Sequence, residues 1–208
     1  MTYNQQKRIL DLVVASTLIV IFLPFWIIVP VLLALDSGLP IMFRHKRVGK
    51  GGKEFYINKF RSMIPNAHEI LHNQDKKLLK KFKQGDWKIA AHEDPRITRL
   101  GRLLRSLTID EFPQLFNVLH GEMSMVGPRA YMKKELKEQT KKYPQASKYV
   151  KKILSIKPGV TGPWQTSGRN EIPFDKRAKM DATYADKQSI KTDILILLKT
   201  PKAMISKW

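Results

Sequence analysis

An uncharged run from Leu12 to Leu35, bracketed by Asp11 and Asp36 and broken by Pro24 at its centre and Pro30 beyond it, constrains this chain more than any other feature. Ser16 and Thr17 are its only polar members. At about 1.5 Å per residue a helix of this length reaches the ~30 Å of a bilayer core, yet a mid-helix proline removes a backbone hydrogen bond and bends the rod. The run exceeds a signal-peptide core, and no small-residue cleavage pattern follows it. Basic residues flank both sides, Lys7 and Arg8 before it and Arg44, Lys46, Arg47, Lys50 and Lys53 after it. Loop charge therefore gives no reason to place the two ends in different compartments. The expectation is a helix-break-helix hairpin that enters and leaves by the cytoplasmic face, each half dipping about 18 Å. A kinked spanning helix stays open as the alternative, because prolines are common in membrane helices.

The rest of the chain is strongly basic: 38 Lys+Arg against 18 Asp+Glu give a formal charge of +20 over 208 residues. Such an excess points to a polyanionic partner, whether nucleic acid, anionic lipid or a phosphorylated substrate. With no cysteine, disulfides and thiolate metal sites are excluded, so any metal is a hard cation on oxygen or one held by histidine. No aromatic-interleaved basic stripe of the kind that binds single-stranded nucleic acid is present, and nucleic acid is not expected as a partner.

After Pro40, the β-prone runs Ile41–Phe43 and Phe55–Ile57 flank the glycine-rich link Gly49-Lys50-Gly51-Gly52 and read as a hairpin that delivers Lys59-Phe60-Arg61-Ser62 toward a site. Residues 66 to 92 carry Ile70, Leu71, Leu78, Leu79 and Phe82 among lysines, which suits either a membrane-interface helix or a solvated surface helix. Asp94-Pro95 reads as a helix start, with Ile97, Leu100, Leu103, Leu104 and Leu107 on one face and Arg102 and Arg105 opposite. Residues 132 to 152 read as one further Lys-rich helix. The turn-rich stretch from Lys157 to Trp164, ending in Gly168-Arg169-Asn170, makes a poor core and a plausible anion-binding loop.

Between these lies the densest chemistry. Asp110-Glu111 opens an apolar helix reading Phe112, Leu115, Phe116, Val118 and Leu119, and Gly127-Pro128-Arg129 follows. That pattern puts the acids outside the buried stripe and, with Pro113 confined to a first turn, at a helix start where the dipole keeps them ionised. An ionised carboxylate pair can hold a divalent metal, with one member free to attack phosphorus. Thr108 with Glu111 three residues on is equally a capping box that needs no chemistry.

Taken in order, Lys7-Arg8 with Asp11, the apolar hairpin with its central proline, Arg47-Val48-Gly49, Lys59-Phe60-Arg61-Ser62-Met63, Asp94-Pro95-Arg96-Ile97-Thr98, Asp110-Glu111 with Pro113-Gln114, Asn117-Val118-Leu119, Met123-Ser124, Gly127-Pro128-Arg129, Lys157-Pro158-Gly159 and Gly168-Arg169-Asn170 resemble the bacterial sugar transferases, the monotopic phosphoglycosyl transferases of exopolysaccharide, O-antigen and glycan pathways. The resemblance implies transfer of a sugar-1-phosphate from a nucleotide-diphosphate sugar, by the family's habit a UDP-sugar, to polyprenol phosphate (undecaprenyl phosphate) with Mg²⁺. Carried over by position, Asp110 is the nucleophile, Glu111 the metal ligand beside it, and Lys59, Arg61, Arg129, Lys157, Arg169 and Asn170 bind substrate. Leu23 stands before the hairpin proline where some members have a serine whose hydrogen bond helps fix the break; Ile109, Phe112, Glu122 and Ala130 are further small departures.

The expected fold is therefore α+β and predominantly α: a monotopic protein with a re-entrant hairpin over residues 1–38 and a catalytic domain over residues 39–208 lying on the cytoplasmic face of the bacterial inner membrane. Anionic lipids are expected as further partners, and an oligomer is compatible. Two other readings compete. One is a membrane-anchored basic module for anionic lipid or nucleic acid; the other is a metal-dependent diphosphate hydrolase using the same carboxylates on water.

Overall fold

The structure, a computed structural model, describes residues 1–87, 89–168 and 172–204. Two helices, α1 (Tyr3–Ile21) and α2 (Phe25–Ser37), bend by 63° at the break that Pro24 opens. Pro24 has no N–H to continue the ladder, and the amide of Leu23 bonds Val20 O, so Ile19 O loses its helical partner. Trp26 Nε1 donates to Ile19 O at 3.2 Å and closes that gap across the bend. Among the described residues no single helix is long and apolar enough to cross a membrane; α1 and α2 together have that length and composition. Val20, Ile21, Leu23, Ile27, Val31 and Leu35 face outward uncovered, Leu35 at 80% exposure.

The first turns of α1 belong to the protein's body. Arg8 caps helix α6 (Gln114–Leu119) by donating to Val118 O at 2.6 Å and Leu119 O at 2.8 Å. Buried Asp11 accepts from Ser124 Oγ and Met125 N, both at 2.9 Å, and Lys7 pairs with Asp193 at 3.1 Å. Residues that read as a membrane flank thus tie the apolar helix to the rest of the chain.

Strands β1 (Met42–Val48) and β2 (Glu54–Phe60) form the expected hairpin, longer than the β-prone runs alone, in register Met42↔Phe60 to Val48↔Glu54. A second, parallel pair joins β3 (Ser124–Val126) to β4 (Gly159–Thr161). Much of the stretch from Lys157 to Trp164 is therefore core, contrary to its reading as a poor one. Gly127 and Gly159 touch so closely that a Cβ on Gly159 would lie 2.0 Å from Gly127 N. A side chain there would separate the pair.

Three further expectations are corrected. The helix expected from Asp94 starts at Arg99 instead, as α5 (Arg99–Ser106) with Thr98 as N-cap, because Asp94 is taken by Arg96 through bonds of 2.8 and 2.7 Å. The single helix expected over 132 to 152 breaks at Pro144 into α7 (Lys133–Lys142) and α8 (Ser147–Ile153). The Lys-rich stretch after residue 66 divides into α3 (Ala67–Glu69), a π-helical turn (Ile70–Gln74) and α4 (Lys76–Gln84), with Leu71 and Leu78 turned inward. The chain closes with α9 (Phe174–Asp186) and α10 (Ile190–Met204).

Two apolar clusters position the site. One joins Ala15, Phe55, Ile57, Leu115, Val118, Met125 and Tyr184, drawing α1, the hairpin, α6, β3 and α9 together. The other joins Val29 and Leu33 of α2 to Phe60, Leu104 and Ile109.

Candidate active site

Helix α5 ends in a sharp reversal: Thr108 adopts φ 58°, the left-handed region unusual for a β-branched residue, and the chain re-enters as a single 3₁₀ turn, Ile109–Glu111, before α6. The capping box is not formed. Thr108 makes no side-chain cap bond to the turn, its hydroxyl bonding Met204 O at 3.5 Å, and the Glu111 carboxylate is turned to Lys59.

Apolar periodicity placed both acids outside the buried stripe; in the structure Asp110 is only 6% exposed. The cause is Ile109, which packs among Val29, Leu33, Phe60 and Leu104 and draws the turn in against α2 and the hairpin. Glu111 remains half-buried and pairs with Lys59 at 2.5 Å. Lys59 arrives through the register of the hairpin, on the same face as Phe55 and Ile57. Fully buried Asn117 sets the spacing between hairpin and α6: its Oδ1 accepts from Asn58 N at 3.0 Å and its Nδ2 donates to Tyr56 O at 2.8 Å and Glu122 Oε2 at 2.6 Å.

The two carboxyls are driven apart electrostatically. Burial pushes Asp110 up to about 6, with Lys59 opposing it and Glu111 adding to it. Burial also pushes Glu111 up, but Lys59, Arg129 and a hydrogen bond from Gln114 outweigh it and hold Glu111 below the usual range. Both acids are therefore largely ionised near neutral pH, Glu111 more firmly than Asp110. Helix α6 is short, and desolvation exceeds what its dipole returns.

Arg129 is held from two sides. Its backbone N–H donates to Asp181 Oδ2 at 3.2 Å, and its guanidinium lies 5.7 Å from the ring centre of Trp164, whose ring also meets Arg177 at 5.4 Å. Arg105, one turn before the acids, bonds Ser62 Oγ at 2.8 Å and lowers Asp110.

Not every expected substrate residue gathers here. Arg61 is buried at the end of α2, donating through Nη2 to Ser37 O at 2.7 Å and Gly38 O at 2.6 Å, where it satisfies carbonyls the helix leaves open. Lys157 lies by Arg8 and Gly121 at the end of α6, and the charges acting on it are those of Arg8, Asp11 and Lys50. Arg169 and Asn170 fall outside the described residues. The sequence reading gave no role to Asn117, Trp164, Asp181 or Arg105. Of these, Arg105 left a signal as a charge one helical turn ahead of the acid pair, and Asn117 as part of the Asn117-Val118-Leu119 motif.

Among the described residues no cluster of three or more His, Cys, Asp or Glu is arranged to enclose a metal. The donor chemistry of an adjacent carboxylate pair fits Mg²⁺ nonetheless, since that ion is commonly bound by one or two carboxylates, substrate oxygens and water.

The profile described as "Bacterial sugar transferase" matches residues 2–207. The "UDP-galactose-lipid carrier transferase" of Erwinia amylovora is 40% identical over 194 residues, covering 93% of this chain and 39% of that protein. The "Undecaprenyl-phosphate galactose phosphotransferase" of Salmonella typhimurium is 39% identical over 203 residues, covering 96% of this chain and 40% of that protein. The "Exopolysaccharide production protein ExoY" of Rhizobium meliloti is 34% identical over 200 residues, covering 95% and 84%. The chain thus spans about two fifths of the first two relatives and most of the third.

Proposed function

The chain belongs to the bacterial sugar transferase family, and from that premise we propose that it moves a sugar-1-phosphate from a nucleotide-diphosphate sugar, a UDP-sugar by the names of two relatives, onto polyprenol phosphate at the cytoplasmic face of the membrane. One observation carries this reading. Ile109, adjacent to Asp110, packs in the same cluster as Val29 and Leu33 of the bent apolar pair, so the acid turn is built onto the element suited to a bilayer. A prenol phosphate stays in the membrane and a nucleotide sugar in water, so a shared nucleophile must stand at their boundary.

Asp110 is the nucleophile. Its carboxylate oxygen forms a bond to the β-phosphorus as the bond from that phosphorus to the bridging oxygen breaks, and nucleoside monophosphate leaves with the electron pair. A phosphate oxygen of the prenol phosphate then attacks the same phosphorus and returns Asp110 as a carboxylate. Glu111, with Asp110, would hold Mg²⁺, which supplies charge neutralisation at the transferring diphosphate when bound. Lys59 holds Glu111 in its ionised form, and Arg129, braced by Trp164 and Asp181, offers a planar fork to phosphate oxygens.

The test omits the prenol phosphate. Labelled nucleoside monophosphate should exchange into nucleotide sugar, and intact mass should show a phosphosugar adduct that disappears when acceptor is added. Exchange that strictly requires acceptor, with no adduct trapped, would replace this scheme with direct transfer.

A further inference from the structure

A cavity of about 460 Å³ lies between the hairpin, the α3–π turn and the start of α7. Its size falls within the ~300–1,000 Å³ of small-molecule sites. Nothing in the catalytic scheme uses it.

Its lining is specific in kind. Three imidazoles stand in sequence, His45 with His68 at 5.9 Å between ring centres and His68 with His72 at 4.3 Å. His72 and Asn73 are carried by the π-helical turn, closed by Asp75 N to Ile70 O at 2.9 Å, and such wide turns are rare and recur at functional sites. Burial holds both His45 and His72 below the ordinary histidine range, which leaves neutral rings that can stack and hydrogen-bond. The charges are cationic: Arg47, Lys133 and Lys134 line the wall, and the acid there, Glu54, is partnered by Lys46 at 3.6 Å.

The cavity is connected to the acid pair through Arg47. Register puts His45, Arg47 and Lys59 on one face of the hairpin. Arg47 lies close enough to Glu111 and Arg129 for each to bias its charge, and Lys59 and Arg47 both act on His45. Arg47, paired with Glu135 at 3.7 Å, thus stands within electrostatic reach of the acid pair while lining the cavity, whose lining also includes rings and an amide.

Resting on the reading above, we propose that this cavity seats the nucleoside monophosphate end of the donor, with its phosphate at Arg47 and Lys134 and its base among His68, His72 and Asn73. Aromatic rings and an amide are the groups that bind a base by its face and edge, whereas a bare anion site has no need of them.

The test measures equilibrium binding of the five common nucleoside monophosphates, ribose 5-phosphate and inorganic phosphate to the full chain in detergent. At least one nucleotide should bind at least tenfold more tightly than ribose 5-phosphate or phosphate. His72→Ala and Lys134→Ala should each weaken that binding and raise KM for the matching nucleotide sugar by about tenfold, with kcat at saturating donor within twofold of the parent. Binding of no nucleotide, equal binding of inorganic phosphate, unchanged constants in both variants, or a fall in kcat at constant KM would each overturn the assignment. Failure of the catalytic reading looks different: Asp110→Asn would then retain turnover, while nucleotide binding by the parent and its loss in the two variants would still judge the cavity.

Discussion

Asp110 is pulled two ways, upward by burial and downward by Lys59, and Glu111 beside it settles on the ionised side. This division assigns different tasks to adjacent identical functional groups. Asp110→Asn keeps the shape and removes the nucleophilic oxygen, so monophosphate exchange should fall by more than about three orders of magnitude. Glu111→Gln should instead be partly rescued by raised Mg²⁺; rescue of Asp110→Asn by the same means would reverse the two roles. At Arg129, lysine keeps the charge but loses the planar fork that stacks on Trp164. Arg129→Lys should lower kcat/KM about 10–100-fold, equivalent to ~1.4–2.7 kcal/mol, with an unchanged circular dichroism spectrum. Full activity in this variant would remove Arg129 from the phosphate clamp.

At the scale of elements, the bent pair and the α6–hairpin junction each rest on one residue. Pro24 opens the break that Trp26 then closes by bonding Ile19 O. Pro24→Leu can restore the missing helix bond, so the population should shift toward a straighter, spanning form. Single cysteines at Gln5 and Asp36 in this cysteine-free chain read the outcome. Both should be labelled from the cytoplasmic side only in the parent, and labelling of one from each side there would rule out a re-entrant hairpin. Asn117→Ala strands the amide of Asn58 and the carbonyl of Tyr56 in a buried junction. It should cost about 2–4 kcal/mol in denaturant unfolding, and activity should fall as Lys59 loses its placement over Glu111.

Across the whole molecule, buried carboxyl groups contribute to how stability varies with pH. Asp181, fully buried beneath Arg129, is pushed by that burial up to about 7, against the opposing pull of the Arg129 N–H and Arg177. A carboxyl whose folded value is raised binds its proton more tightly when folded, so its contribution to stability is present at low pH and is lost as pH rises from about 4 to about 7. Asp110 acts with the same sign. Buried His45 and His72, held low, act with the opposite sign, so the contribution of Asp181 is read by comparison: the shift in denaturant midpoint between pH 5 and pH 7.5 should favour low pH less in Asp181→Asn than in the parent, and identical pH profiles in the two would remove Asp181 from the pH dependence.

The sequence by itself determined the features that depend on neighbours along the chain. Composition and Pro24 marked the broken apolar pair, alternation marked the hairpin, and the adjacency of Asp110 and Glu111 marked the acid site. Local pattern, however, cannot report desolvation, and so it left Asp110 exposed when packing of Ile109 buries it. The parallel strands Ser124–Val126 and Gly159–Thr161 are too short for their alternation to be seen, and their glycines looked like a loop until the two backbones met. Lys7, Arg8 and Asp11 resembled a charged membrane flank because their partners, the end of α6, Met125 and Asp193, lie more than a hundred residues away. Arg61 was expected from the resemblance to bind substrate, and its bonds to the carbonyls of Ser37 and Gly38 arise only once α2 and the hairpin pack together. Tertiary structure alone decided these, since burial and long-range pairing arise from which surfaces meet, and a linear pattern carries no record of that meeting.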